Sequence, residues 1–209
     1  MSRAPAGGRA AAKPAVSAIV LAGGRSSRFG GDKLSAVMDG RTLLEAAIAG
    51  VASVADDIVV VLAPGDDRVV AGAASARIVH DPERFGGPLV GLLAGLEAVR
   101  EPFVVVAGGD MPSLRGDVLG LMLRTLATTD EAFGAVILEQ RGRPEPLPAV
   151  VRTGSATDHA RRLVADGERR LGSLFERLPT RILDEAAWRP LDPDADTLRD
   201  VDEAADLER

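Results

Sequence analysis

Short aliphatic runs recur along this chain, each followed by a turn and then by a helical pattern. Ser17–Leu21, Asp57–Ala63 and Pro102–Ala107 are runs of this kind. A strand covered on both faces reads this way because neither alternate set of side chains meets water. Alternation of such strands with helices predicts an α/β architecture, a doubly wound and mostly parallel central sheet between helical layers. Apolar residues make up 46% of the 209, but aromatics only 3%, so the core must be aliphatic. That length suits one substantial core. Residues 17–209 read as one domain behind a flexible tail, residues 1–16, rich in Ala, Gly and Pro.

Local signals place the other elements. Thr42-Leu-Leu-Glu45 has the form of a capping box and predicts a helix to about Val54. A helix over Asp66–Ala74 and a short strand over Arg77–His80 are expected next. Pro88 suits the first turn of a helix carrying Leu89, Leu92, Leu93 and Leu96 on one face. Asp117–Leu126 reads as a helix. Gly134–Glu139 and Leu147–Val151 read as strands flanking a polar turn, Gln140–Pro146, either as a parallel-to-antiparallel switch or as a hairpin extending the sheet. Helices over Ser155–Asp166 and Gly172–Leu178, a strand over Thr180–Leu183 and an acidic helix from Glu203 complete the expectation.

Charge and cysteine content narrow the function. A net charge of −6 argues against nucleic-acid binding, which calls for a basic surface. With no cysteine there is neither disulfide nor thiolate chemistry. The first residues lack the apolar segment of a secretory signal, and no apolar run approaches the roughly 18 residues of a membrane helix. The expectation is a cytoplasmic protein without membrane contact.

Chemistry concentrates at the strand ends, where open α/β sheets place their sites. The first strand gives way to Leu21-Ala-Gly-Gly-Arg-Ser-Ser-Arg-Phe-Gly-Gly-Asp-Lys33. Glycines here let backbone N–H groups approach an anion, and Arg25, Arg28 and Lys33 can neutralise a polyphosphate. Neither the P-loop nor the G-x-G-x-x-G spacing is present, so a nucleotide site of another kind is expected. Gly108-Gly-Asp-Met-Pro112 puts Asp110 at another strand end, as a hard oxygen ligand for Mg²⁺ or as a helix cap. Asp81, after His80, can bind ribose, base or metal-bound water, or close an Asx turn before Pro82. Asp166-Gly-Glu-Arg-Arg-Leu171 is a polar turn between helices. Asp200-Val-Asp202 is either a second metal-facing acid pair or a strand end leading to the closing helix. His80 reads as a packing or hydrogen-bonding residue, and His159 as a surface or core residue of its helix, not a catalytic one.

These segments, in this order, resemble the molybdenum cofactor guanylyltransferase family. The matching stretches are Leu21–Lys33, Asp81 with Gly87-Pro-Leu-Val-Gly91, Gly109-Asp-Met-Pro112, Gly167-Glu-Arg-Arg170 and Asp200-Val-Asp-Glu203. The resemblance implies a three-layer Rossmann-like nucleotidyltransferase fold and Mg²⁺-dependent transfer of GMP from GTP to molybdopterin, with pyrophosphate released. It also implies transient contact with molybdenum-cofactor enzymes or insertion proteins. By the same resemblance Leu21, Ala22, Gly23, Gly24, Arg25, Lys33 and Asp81 would bind the nucleotide, and Asp110 nucleotide and metal. Arg28 is added on charge grounds as a triphosphate clamp, beside Lys33 and Asp110 as catalytic residues. The chain departs from the family at Leu62-Ala-Pro64, where members commonly carry Asn, at Phe29 in place of Met, and at Gly109 in place of Cys. Open alternatives are CTP or another phosphorylated acceptor, and an inactive nucleotide-binding partner in cofactor insertion.

Overall fold

The computed structural model describes residues 15–23, 29, 32–70, 76–83 and 86–208. In chain order these form β1 (Val16–Ala22), a 3-10 turn (Lys33–Ser35), β2 (Val37–Met38), β3 (Arg41–Thr42), α1 (Leu43–Ala52), β4 (Asp57–Leu62) and β5 (Ala76–His80). There follow α2 (Pro88–Ala98), β6 (Phe103–Gly108), α3 (Gly116–Thr128), β7 (Ala135–Gln140), β8 (Arg143–Arg152), α4 (Thr153–Ala165), α5 (Gly172–Arg177), β9 (Thr180–Leu183) and α6 (Glu185–Trp188). Two further 3-10 turns, Asp196–Leu198 and Ala204–Glu208, lie in the C-terminal segment.

The seven-stranded sheet runs β5-β4-β1-β6-β8-β7-β9. β8 alone runs against its neighbours, since β7 and β8 form a hairpin turned into the sheet so that β8 meets β6. Both open readings of this region therefore hold at once. Alternation along β1 explains the three layers. Ala18, Val20 and Ala22 face a core shared with α1, α3 and Trp188. Ile19, with Val59 and Val61 of β4, faces the core made with α2, α4 and α5.

Local chemistry fixes the element ends. The capping box forms as read: Glu45 N–H donates to Thr42 Oγ1 at 3.2 Å, and Thr42 N–H donates to Glu45 Oε2 at 2.8 Å. Pro88 occupies the first turn of α2 after Gly87, whose φ of 90° suits glycine.

Three expectations need correction. Residues 66–70 form no helix, and 71–75 lie outside the described residues. Asp66 accepts from the Arg68 N–H at 3.1 Å and from the Arg68 guanidinium at 2.6 Å, a local closure that competes with helical bonding. The hairpin turn is Arg141–Gly142 alone, at φ of 52° and 75°, and β8 starts at Arg143. Two successive positive φ values match the strand twist, which permits so tight a turn. The closing segment is a 3-10 turn over Ala204–Glu208, where an acidic α-helix is expected. Of the proposed tail, residues 1–14 lie outside the described residues, and β1 already begins at Val16.

Candidate active site

Sheet order sets where a ligand can sit. From β1 the chain moves outward through β4 and β5, then crosses back to β6 on the other side of β1. The connections following β1 and β6 therefore leave in opposite directions, and a crevice opens at their carboxyl ends. Gly109 N–H donates to Leu21 O at 2.9 Å, so the two strand tips are tied together there. A cavity of about 540 Å³ occupies the crevice. Leu21, Ala22, Gly23, Lys33, Asp81 and Asp110 all line it, which unites six of the residues expected from sequence. Gly24, Arg25 and Arg28 lie outside the described residues.

At one end of the cavity Lys33 Nζ donates to Asp110 Oδ2 and to Asp202 Oδ1, each at 2.8 Å. Asp110 can fold back toward this point because Gly108 has no Cβ; one there would collide with Asp110 Oδ1. Asp202 arrives from the far end of the chain. The backbone brings it, through a bond from Val201 N–H to Asp110 O at 3.0 Å. Upstream, the buried Asp192 accepts from Thr197 N–H at 2.8 Å and Asp196 N–H at 3.1 Å, which shapes the turn leading there. Burial opposes the Lys33 charge, but the two carboxylates outweigh it and its pKa lies above the ordinary lysine value. Asp200 titrates above the usual Asp range because it is crowded by surrounding protein and faces the like charges of Asp202 and Asp110.

Asp81 stands at the other end. Its N–H donates to Leu62 O at 2.8 Å, and its carboxylate accepts from Glu83 N–H at 2.9 Å, so the Asx turn is present. The side chain also lines the cavity, so the turn and the binding role coexist. Burial pushes its pKa up, with the charge of Glu83 adding to the effect. Gly91 of α2 faces it: a Cβ there would lie 3.4 Å from Asp81 Oδ2.

The Gly167–Arg170 turn braces this wall. Leu89 N–H, in the first turn of α2, donates to Arg169 O at 3.2 Å. Glu168 accepts from Ser173 Oγ at 2.6 Å, Arg170 N–H at 2.9 Å and Arg169 N–H at 2.8 Å. These bonds hold its pKa down at about 2. His80 bonds Asp66 O at 3.1 Å, as read from sequence, and His159, within α4, bonds Ser155 O at 2.9 Å. Leu147 lines the cavity too, and no sequence signal marks it.

Among the described residues no three His, Asp or Glu side chains form a ready-made metal cage. Yet Asp110 and Asp202 converge on one point, and Asp200 adds a third carboxyl against the single positive charge of Lys33. Hard oxygens with a surplus of negative charge fit a divalent ion such as Mg²⁺, which takes few protein ligands and completes its shell with phosphate and water.

A three-layer α/β fold with its crevice at the β1/β6 switch, holding a lysine and carboxylates, is the frame of a nucleotidyltransferase. The profile of the MobA-like NTP transferase domain matches residues 18–182, and the chain belongs to that family. It is 35% identical over 178 residues to the molybdenum cofactor guanylyltransferase of Burkholderia vietnamiensis, covering 82% of this chain and 86% of that protein. The enzyme of that name from Desulfosudis oleivorans is 30% identical over 196 residues, covering 93% and 94%. Among solved structures, the molybdopterin-guanine dinucleotide biosynthesis protein A of Archaeoglobus fulgidus superposes with a TM-score of 0.75 at 24% identity, covering 92% and 95%. No helix among the described residues is long and apolar enough to cross a membrane.

Proposed function

We propose that this protein transfers GMP from GTP to molybdopterin and releases pyrophosphate. The observation that carries the reading is the meeting of Lys33 and Asp110 across the tips of β1 and β6, within one cavity that also reaches Asp81. From β5, which leads to Asp81, to β6, which leads to Asp110, is three strand steps. At about 4.8 Å each, that is roughly 14 Å, enough for a nucleoside and its phosphates laid across the strand ends. The base then rests on the Asp81–Gly91 wall, and the phosphates reach the backbone of Ala22 and Gly23 and the Lys33 ammonium.

Transfer proceeds by attack of a phosphate oxygen of the acceptor on the α-phosphorus. A new P–O bond forms there as the bond to the β-phosphate breaks, and the electron pair leaves with pyrophosphate. Both reactants are anions, so charge and alignment are the obstacles. Lys33 supplies a cation, and Asp110 with Asp202 would hold Mg²⁺, which offsets charge on the triphosphate and the leaving group. Largely ionised near neutral pH, the acceptor phosphate needs no general base, in keeping with a site built without Cys or Tyr. Gly24, Arg25 and Arg28 belong to the same reading as further contacts to the triphosphate. The cytoplasm is the compartment assigned to the reaction, with molybdenum-cofactor enzymes or insertion proteins as transient partners.

Pyrophosphate release from GTP, ATP, CTP and UTP, each with and without molybdopterin, tests the proposal. Release with GTP and molybdopterin together is expected; release with CTP only overturns it. Asp110→Asn should abolish transfer and keep the fold, and unchanged turnover in that variant removes Asp110 from the mechanism.

A further inference from the structure

We infer that the Lys33 ammonium is an internal stand-in for the divalent cation, so that cation and nucleotide bind as a coupled pair. This deepens the functional reading above and rests on it. Asp110 and Asp202 each hold Lys33 Nζ at 2.8 Å, and the Lys33 side chain is only 10% exposed. No other ion pair of Lys33 occurs among the described residues. The segments that carry the two carboxylates are tied together by the backbone bond from Val201 N–H to Asp110 O. The flexible four-carbon stem of the lysine lets its ammonium move away from them.

The ammonium stands where the two carboxylates converge, which is also where a cation would be held. Like charges exclude one another at that distance, so Lys33 must vacate the position first. A cation arriving alone would drive a mostly buried ammonium from both of its anions with nothing to replace them. A nucleotide arriving alone would find that ammonium already engaged. Arriving together, each supplies what the other removes: Asp110 and Asp202 exchange ammonium for metal, and Lys33 exchanges carboxylates for phosphates. Such reciprocal exchange is positive coupling, and linkage requires it to act equally in both directions.

Lys33→Met keeps the stem and removes the charge. With Mn²⁺ as probe, free ion followed by electron paramagnetic resonance and no nucleotide present, this variant should bind Mn²⁺ at least ten-fold tighter than the wild type. The α,β-methylene analogue of GTP should bind the variant more weakly than the wild type. Opposite signs for the two ligands are the expected signature, and Mn²⁺ binding that is equal or weaker in Lys33→Met overturns the inference. A measurement on the wild type stands apart from any folding defect in the variant. Its melting temperature should rise more with Mn²⁺ and the analogue together than by the sum of their separate effects, and additive shifts also overturn it. Failure of GTP and molybdopterin to release pyrophosphate would instead strike the functional reading and leave the Mn²⁺ comparison intact.

Discussion

Gly91→Ala should stabilise the protein and impair it at the same time. Gly91 lies within α2, where alanine is favoured over glycine by up to ~1 kcal/mol. Its new Cβ would stand 3.4 Å from Asp81 Oδ2, 3.6 Å from Val61 Cγ1 and 4.0 Å from Leu21 Cδ2, ordinary contacts that need no rearrangement. The helix gain should therefore survive, as a rise in melting temperature of roughly 2–4 °C per kcal/mol for a chain of this size. The same methyl group projects into the cavity beside Asp81, where the base is proposed to rest. One methyl group in a fitted pocket is worth about 1–3 kcal/mol, so KM for GTP should rise ~10-fold or more. Gly95→Ala, one turn further along α2, is the control. Its Cβ would lie 2.9 Å from Ile19 Cγ2 and 3.1 Å from Val61 Cγ2. Overpacking of that kind costs about 1–3 kcal/mol and offsets the helix gain, so its melting temperature should fall. Calorimetry and initial-rate kinetics on both variants decide the matter. A Gly91→Ala protein with a higher melting temperature and unchanged KM would remove the base from this wall. One that melts lower would refute the packing argument.

The remaining predictions concern the charged groups. Burial raises the Asp81 pKa, so the folded state holds that proton more tightly than the unfolded chain, and stability falls as pH rises through the interval. Asp81→Asn keeps an oxygen for the Glu83 N–H and removes that cost. It should raise the urea midpoint at pH 7 but not at pH values well below the carboxylate range, while weakening GTP binding; a lower midpoint at pH 7 refutes the sign. Glu168 behaves oppositely. Its pKa falls from 4.5 to about 2, so its contribution is complete above pH 4.5 and disappears as pH drops toward 2. Urea titrations should therefore show wild type and Glu168→Gln converging across that interval, and a gap independent of pH would contradict the turn's bonding. Loss of transfer in Asp110→Asn and the opposed ligand effects of Lys33→Met complete the set.

Legibility tracked the range of the forces involved. β9 matched its expected span, and the main α-helices and sheet strands fell near theirs, because periodicity and aliphatic runs report burial directly. Thr42, Glu45 and Pro88 were equally plain, since a helix start is closed by its own neighbours in sequence. Over residues 66–70 the reading failed because one side chain, Asp66, found partners in Arg68 that compete with helical bonds. The turn at Gly167–Arg170 looked like an ordinary connection; Arg169 O and Glu168 give it a task only when α2 packs beside it. Leu147 reached the cavity from a strand whose register shifts opposite Ile137 and Leu138, which no spacing in the sequence reveals.

Sequence by itself determined the class of fold and pointed to Lys33, Asp81 and Asp110 as candidates at the strand ends, since glycine, charge and strand ends are local facts. Only tertiary structure decided that Asp202 shares Lys33 with Asp110, and that a single ammonium stands where two carboxylates converge. These residues lie 77 and 169 positions from Lys33 along the chain. Their meeting depends on the crossover that returns the chain from β5 to β6 and on the bond of Val201 to Asp110. Contacts between residues so far apart exist only once the sheet order is set, because that order alone brings the separate strand ends to one crevice.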